Sequence, residues 1–136
     1  YSKLTKLDLE LHGSARLNPD LNGRPSPIVL RLLELKHPVA FENGEFFALY
    51  QRPKEALAPD LVTSEELELR PGESRELKLS VQDGSRYVGV LAAYRDLPEA
   101  SWRYVIAVPP QERTRIALSL DERGIALFDP LAEEGQ

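Results

Sequence analysis

The residues best suited to acid–base or metal chemistry are the two histidines, His12 and His37. Nucleophilic catalysis of the serine type needs a histidine as general base, and Ser14 stands two positions after His12. A serine two residues from a histidine is a commonplace arrangement, so we expect His12 to have a structural role. The sequence therefore predicts no catalytic residue.

Ligand spacing for a metal or a cofactor is also missing. The chain has no cysteine, which excludes disulfides, thiol catalysis and thiolate metal sites. The histidines stand apart from any clustered carboxylates, and no DxDxDG calcium motif occurs. Acids do stand two positions apart, at Asp8 with Glu10 and at Glu66 with Glu68, but a glycosidase pair must converge across a cleft. We interpret both pairs as residues on a solvent-exposed face of a sheet. The sequence therefore predicts no metal and no cofactor.

Composition narrows the class of protein. A length of 136 residues suits one domain over residues 1–136, and 42% hydrophobic with 29% charged residues is ordinary for a globular chain. The net charge of -5 and the lack of a basic cluster argue against binding to nucleic acid. The missing initiator Met suggests a trimmed chain whose upstream targeting or anchoring segment has been removed, and the acidic tail at residues 131–136 is expected to be flexible.

Alternation of apolar and polar residues predicts the strands that must position any site. Leu7, Leu9 and Leu11 alternate with acidic residues and should face inward. Residues 28–35 are apolar on nearly all positions, which is typical of a central strand. Residues 86–94 predict a second central strand, with a glycine where a neighbour could pack closely.

Two hairpins are predicted further along the chain. The alternating runs at residues 67–69 and 77–81 flank a Pro-Gly turn, which favours one hairpin. The last hairpin turns at residues 121–124, and Ile125 and Leu127 should face inward. About eight short strands with frequent turn signals predict a mainly β fold, an antiparallel two-sheet β-sandwich.

A small helical insertion is predicted around residues 39–58, where the apolar residues follow helical spacing. Asn43 should cap a helix over residues 44–51, and Pro53 suits the start of another turn. The aromatic side chains expected to dock this insertion on the sheet are Phe46, Phe47 and Tyr50. Near the end of the chain, Trp102 is expected in the core and Arg103 in solvent.

Several short segments occur in a characteristic order along nearly the whole chain. They are Asn18-Pro19-Asp20, Gly23-Arg24-Pro25-Ser26-Pro27, Glu34-Leu35-Lys36, Ala40-Phe41, Phe46-Phe47-Ala48-Leu49-Tyr50, Asp60-Leu61, Pro71-Gly72-Glu73, Tyr87-Val88-Gly89-Val90, Ala93-Tyr94-Arg95-Asp96-Leu97 and Trp102-Arg103. In this order and spacing they resemble the TssJ (SciN-like) outer-membrane lipoprotein family of the bacterial type VI secretion system.

The resemblance implies a transthyretin-like β-sandwich on the periplasmic side of the outer membrane, without catalytic activity. It implies a tether of acyl chains on an N-terminal cysteine, which this sequence does not contain. It also implies binding to the periplasmic C-terminal domain of the inner-membrane protein TssM, through the loop between the first two strands. The expected partner-binding residues are Ser14, Arg16, Leu17, Asn18, Asp20, Asn22 and Arg24.

The length of this first loop fits partner binding, because hairpin connections commonly have about two to five residues. Leu17 and its polar neighbours are expected to be exposed there, on a backbone that three prolines stiffen, which lowers the entropy lost on docking. An alternative stays open. Residues 18–27 are then fixed by the domain's own packing, and the partner contacts residues 13–17 only.

A second function class is a carbohydrate-binding or adhesion module, since β-sandwiches of this size also serve those roles. Such a module would need a row of exposed aromatic side chains, and most aromatic residues here stand at core-like positions. A hydrolase on the same fold would need a convergent His, Arg and Ser site that two N-terminal histidines do not supply.

Overall fold

Two four-stranded sheets pack face to face in the computed structural model, which describes residues 4–131. The first sheet has the order β4-β1-β7-β8 and the second the order β3-β2-β5-β6. The elements are β1 (Thr5–Gly13), β2 (Ile28–Leu35), α1 (Val39–Asn43), α2 (Phe46–Gln51), α3 (Pro53–Ala56), β3 (Leu61–Leu69), β4 (Ser74–Val81), β5 (Tyr87–Ala92), β6 (Arg103–Ala107), β7 (Arg113–Asp121) and β8 (Gly124–Leu127). The predicted sandwich of eight strands with a helical insertion is confirmed. Of the predicted flexible tail, residues 132–136 lie outside the described residues.

Strand direction differs from the prediction at one place. All neighbouring strands are antiparallel except β1 and β7, which run parallel with Leu9 beside Ile116. Alternation of apolar residues has a period of two in either direction, so the sequence pattern carries no information about the orientation of a pair.

The predicted hairpin of β3 and β4 is wrong, although both strands are present. β3 pairs with β2, with Leu67 opposite Leu30, and β4 pairs with β1, with Leu77 opposite Leu9. The turn between them carries the chain from one sheet to the other, and Gly72 adopts a φ of 78° there. A Pro-Gly turn between alternating runs fits a corner between two sheets as well as it fits a hairpin.

The core between the sheets contains the side chains that alternation predicted. Leu7, Leu9 and Leu11 are fully buried, and burial of each contributes roughly 1.5–3 kcal/mol. Ile125 is buried as predicted, but Leu127 is 59% exposed. Leu127 lies on the edge strand β8, where the facing sheet does not cover it.

The helical insertion covers the outer face of the second sheet, which explains why β2 and β5 are apolar on both faces. The buried residues of this second cluster are Leu33, Leu35, Phe41, Phe46, Leu49, Leu57 and Leu91. Gly89 lies beneath the ring of Phe41, and a Cβ atom at Gly89 would approach Phe41 Cζ to 2.9 Å. The predicted close approach at this glycine is therefore confirmed.

The helix boundaries correct the predicted helix over residues 44–51 with Asn43 as its cap. Asn43 ends α1 and donates its Nδ2–H to the carbonyl of Val39 at 3.0 Å, so it does not cap α2, which begins at Phe46. Because its side chain is hydrogen-bonded within the last turn of α1, Asn43 is not free to cap the next helix. Pro53 opens α3 as predicted. None of the helices within residues 4–131 combines the length and the apolar character needed to cross a membrane.

Aromatic packing at the insertion also differs in part from the prediction. Phe46 is buried and stacks on Tyr50, but Phe47 is 60% exposed and does not dock the insertion. Arg103 is half-buried instead of solvent-facing. Its guanidinium donates to the carbonyl of Phe41 at 2.6 Å and to that of Glu42 at 2.8 Å, which satisfies the free C-terminal carbonyls of α1.

Candidate partner-binding site

The first loop leaves β1 at Gly13 and enters β2 at Ile28, at the opposite end of the sandwich from the start of β1. Backbone hydrogen bonds fix its base. The amide of Ser14 donates to Leu120 at 2.8 Å, and the carbonyl of Ser14 accepts from Gly72 at 3.1 Å. The backbone at the start of the loop is therefore hydrogen-bonded both to β7 and to the turn that precedes β4.

The middle of the loop is part of the core. Leu17 is fully buried, so the expectation that it is exposed is wrong. Asn18 is only 4% exposed and joins two parts of the chain, because its Nδ2 donates to the carbonyl of Pro27 at 3.0 Å and its Oδ1 accepts from the amide of Arg95 at 2.9 Å. Ser26 completes this base by donating its hydroxyl to the carbonyl of Asn18 and its amide to that of Leu17.

Beyond this base, residues 20–25 form a projecting turn, which we call the loop tip. The amide of Asp20 donates to the carbonyl of Arg24 at 2.8 Å, and the Asp20 carboxylate accepts from the amides of Asn22 at 2.8 Å and Arg24 at 3.0 Å. Gly23 has a φ of 77°, which favours glycine at that position. The tip is thus held in one conformation by its own hydrogen bonds.

Leu21 stands on this tip with a relative exposure of 104%, the highest among the large exposed apolar side chains described. A leucine in that position makes no contribution to the core. Leu21 is not among the partner-binding residues predicted from the sequence, because it stands in a run of turn-forming residues whose polar side chains are the expected contacts. The sequence feature that indicates its exposure is an apolar residue directly before an Asn-Gly turn.

The predicted site residues fall into three groups. The exposed ones are Arg16, Asn22 and Arg24, the half-buried ones are Ser14 and Asp20, and the buried ones are Leu17 and Asn18. Arg16 lies 3.9 Å from Glu122, a loose contact with the Arg16 side chain 76% exposed. The domain's own packing fixes the base of the loop, whereas residues 21–25 of the loop tip are all exposed.

His12 has the structural role that its sequence context predicts. Its ring stacks on Phe128 with centroids 3.9 Å apart, and its Nδ1 lies 3.2 Å from the hydroxyl of Ser74, not from that of Ser14. Within residues 4–131 no three side chains of the His, Cys, Asp and Glu types come together in a group that could hold a metal ion.

The paired acids of β1 lie on the outer face of the first sheet. Asp8 forms an ion pair with Arg113 at 2.9 Å and lies 3.5 Å from Arg115. The hydrogen bond from Arg113, followed by the charges of Arg113, Arg115 and Lys78, lowers the pKa of Asp8. A carboxylate held ionised in this way is suited to an ion pair and not to proton transfer.

The aromatic side chains within residues 4–131 do not form a row of exposed rings. Of those that the structure describes, Phe47 alone is exposed. Trp102 is half-buried, with Phe46 at its edge and the guanidinium of Arg103 3.9 Å from its ring centroid.

Comparison with known proteins gives one consistent result. The family described as Type VI secretion lipoprotein, VasD, EvfM, TssJ matches residues 5–123. The crystal structure of the type VI secretion lipoprotein TssJ1 from Pseudomonas aeruginosa is 38% identical with a TM-score of 0.88, and the match covers 92% of this chain and 95% of that one. A search of curated proteins finds no match.

Two more distant structures share the fold. Serratia marcescens Lip, described as a membrane bound component of the type VI secretion system, is 23% identical with a TM-score of 0.85, over 93% of this chain and 97% of that one. A chain from the structure described as the TssM C-terminal domain from EAEC is 21% identical with a TM-score of 0.77, over 93% and 99%. With a family match that extends from β1 to the last turn, this chain belongs to the TssJ (SciN-like) family, the non-catalytic lipoproteins of the type VI secretion membrane complex.

Proposed function

We propose that this domain is held at the periplasmic side of the outer membrane by acyl chains on a cysteine preceding it, and that its first loop binds the periplasmic C-terminal domain of a TssM-type inner-membrane protein. Family membership supports the lipid anchor, since the matching family consists of lipoproteins. Solved structures described as the type VI membrane complex and as the TssM C-terminal domain contain chains of this fold, which suggests the partner.

The loop tip is the observation that carries the proposal. Its hydrogen bonds are internal, its base is fixed to the core through Asn18, and Leu21 extends fully into solvent. A segment that is already ordered loses little conformational entropy on docking, so most of the interaction energy is available for affinity.

The mechanism is passive coupling and needs no energy source. An acyl anchor at one end and a protein contact at the other join the two membranes through one rigid domain. More than one acyl chain is needed for a lasting anchor, because a single chain gives only marginal and reversible membrane binding.

Calorimetric titration of this domain with the TssM-type C-terminal domain from the same organism tests the proposal. The informative variant combines Arg16→Ala, Asn22→Ala and Arg24→Ala, all at exposed positions of the loop. Its matched control combines Gln51→Ala, Arg52→Ala and Lys54→Ala, which remove one amide and two cations from the exposed face of the helical insertion.

Weaker binding of the loop variant, with unchanged binding of the control and unchanged thermal stability of both, would support the first loop as the contact. Equal affinities of the two variants would show that the first loop is not the contact. A folded wild-type domain that does not bind at all would contradict the proposed partner.

A further inference from the structure

We propose that Leu21 is the anchor of this interface, inserting into an apolar recess of the partner whose edge carries a carboxylate that receives Arg24. The inference rests on the proposed function and specifies the chemistry of the partner's surface.

The apolar part of the inference follows from the exposure of Leu21. The side chain is 104% exposed, while the residue four positions earlier, Leu17, is fully buried in the core. Complete burial of a leucine side chain strengthens binding roughly 10- to 100-fold, which is the scale of a residue that dominates a small interface. Because Leu21 contributes nothing to the domain's own core, this gain is realised only on contact with another surface.

The rigidity of the loop tip makes that gain available. The Asp20 amide and carboxylate close the turn through three hydrogen bonds to residues 22 and 24, so Leu21 projects from a fixed backbone. A recess in the partner that fits one leucine therefore does not have to order the loop first.

Charge on the loop tip gives the second part of the inference. The Asp20 carboxylate is directed into the turn by the amides that it accepts from, which leaves the Arg24 guanidinium as the outward charge. Within residues 4–131 the guanidinium of Arg24 has no hydrogen-bond or ion-pair partner, and its residue is exposed. Arginine binds carboxylates through two parallel hydrogen bonds, so a carboxylate at the edge of the recess is the complementary group.

The test measures the affinity of the folded domain for the TssM-type C-terminal domain by calorimetry. Leu21→Asp should weaken binding at least tenfold, and Leu21→Met should stay within about threefold of the wild type because it keeps the apolar volume. Val39→Asp is the matched control, since Val39 is an aliphatic residue of the helical insertion that is 62% exposed. It should bind as the wild type does.

The charge is tested by Arg24→Glu and Arg24→Lys at low and high salt. We expect Arg24→Glu to bind at least tenfold more weakly and to lose or reverse the salt dependence of the wild type. Arg24→Lys keeps the charge but not the two parallel hydrogen bonds, so it should bind with an intermediate affinity and a salt dependence like that of the wild type.

The outcomes separate this inference from the proposed function. If the triple variant of Arg16, Asn22 and Arg24 loses affinity while Leu21→Asp binds normally, the loop is the contact and Leu21 is not its anchor. If Leu21→Asp and Val39→Asp weaken binding equally, the inference is overturned. If the wild-type domain does not bind the TssM-type C-terminal domain, the proposed function itself is contradicted.

Discussion

Asn18 Oδ1 accepts a hydrogen bond at 2.9 Å from the backbone amide of Arg95, a residue 77 positions further along the chain. The same side chain donates to the carbonyl of Pro27, so one amide group joins the first loop to the start of β2 and to the segment after β5. Asn18 also has a φ of 45°, a conformation that asparagine tolerates better than most residues.

Replacing Asn18 should therefore destabilise the domain. Asn18→Ala removes two buried hydrogen bonds and leaves the Arg95 amide without its acceptor, and we expect a loss of about 2–3 kcal/mol in the free energy of unfolding. Urea denaturation measures it. Asn18→Asp keeps the acceptor for Arg95 but turns a buried carboxylate oxygen toward the carbonyl of Pro27, so at neutral pH it should also be destabilised. At a pH where the new carboxyl is protonated it can donate to Pro27 and accept from Arg95, so Asn18→Asp should then lose less than Asn18→Ala, and an equal loss there would argue against the two hydrogen bonds.

Tyr94 should be replaceable by phenylalanine with a gain in stability. Its side chain is buried, and its hydroxyl has no hydrogen-bond partner among the described residues. Tyr94→Phe removes an unsatisfied polar group and should stabilise the domain by about 1 kcal/mol, as measured by urea denaturation. A clear destabilisation would show that the hydroxyl has a partner such as a buried water. Tyr104→Phe, at a half-buried tyrosine, is the control.

The same tyrosine predicts a loss of stability at alkaline pH. Burial, and to a lesser extent the charge of Asp121, raise the pKa of Tyr94 above its usual value of 10.0. Above pH 10 the unfolded chain releases this proton while the folded domain retains it, so the free energy of unfolding should fall as pH rises. Tyr94→Phe should show a smaller fall between pH 10 and 11. Parallel curves for the two proteins would contradict the assignment.

Gly89→Ala should be destabilising because of the ring of Phe41. The added Cβ would lie 2.9 Å from Phe41 Cζ, and Phe41 is fully buried, so the ring has no open space to enter. Overpacking of this kind costs about 1–3 kcal/mol. When Phe41 is also replaced by leucine, Gly89→Ala should cost less free energy of unfolding, and a double-mutant cycle measured by urea denaturation gives the difference. Additive effects of the two changes would place the cause elsewhere.

Asp8→Asn should reduce the stability of the domain above pH 4 and leave it nearly unchanged at pH 2. The pKa of Asp8 is lowered by Arg113, so its ion pair stabilises the fold above the unfolded value of 3.8, and this contribution is lost as pH falls through the lower folded value. Thermal unfolding as a function of pH tests this. Glu10→Gln changes a neighbouring exposed acid of the same strand and should have little effect at either pH.

Local patterns in the sequence predicted the strands and the core well, because the period of two is a property of one strand and its own side chains. Leu7 and Leu9 are buried for that reason. Pairing could not be predicted in the same way. The partner of Leu77 is Leu9, not a residue of β3, and nothing in residues 67–81 distinguishes a hairpin from a corner between sheets.

The sequence indicates where the first loop lies, but not which of its side chains are exposed. A run of turn-forming residues indicates a loop, yet the sequence does not say which side chains the loop returns to the core. Leu17 and Leu21 have the same residue type and lie in the same loop, but one is fully buried and the other fully exposed. The loop is fixed to the core next to Leu17 through the hydrogen bond between Asn18 and Arg95, a residue far along the chain, and Leu21 lies beyond that point.

The first loop and the start of the chain's first strand lie at opposite ends of β1, and this placement gives the domain a mechanical character. Nine residues of extended strand span about 30 Å. Tension applied between the start of β1 and the loop tip runs along the covalent backbone of β1. Because that strand is already extended, it can lengthen very little under load. The hydrogen-bonded pairs that join β1 to β4 and β7 lie side by side along that line, so the two neighbouring strands keep β1 extended while its own covalent backbone carries the tension.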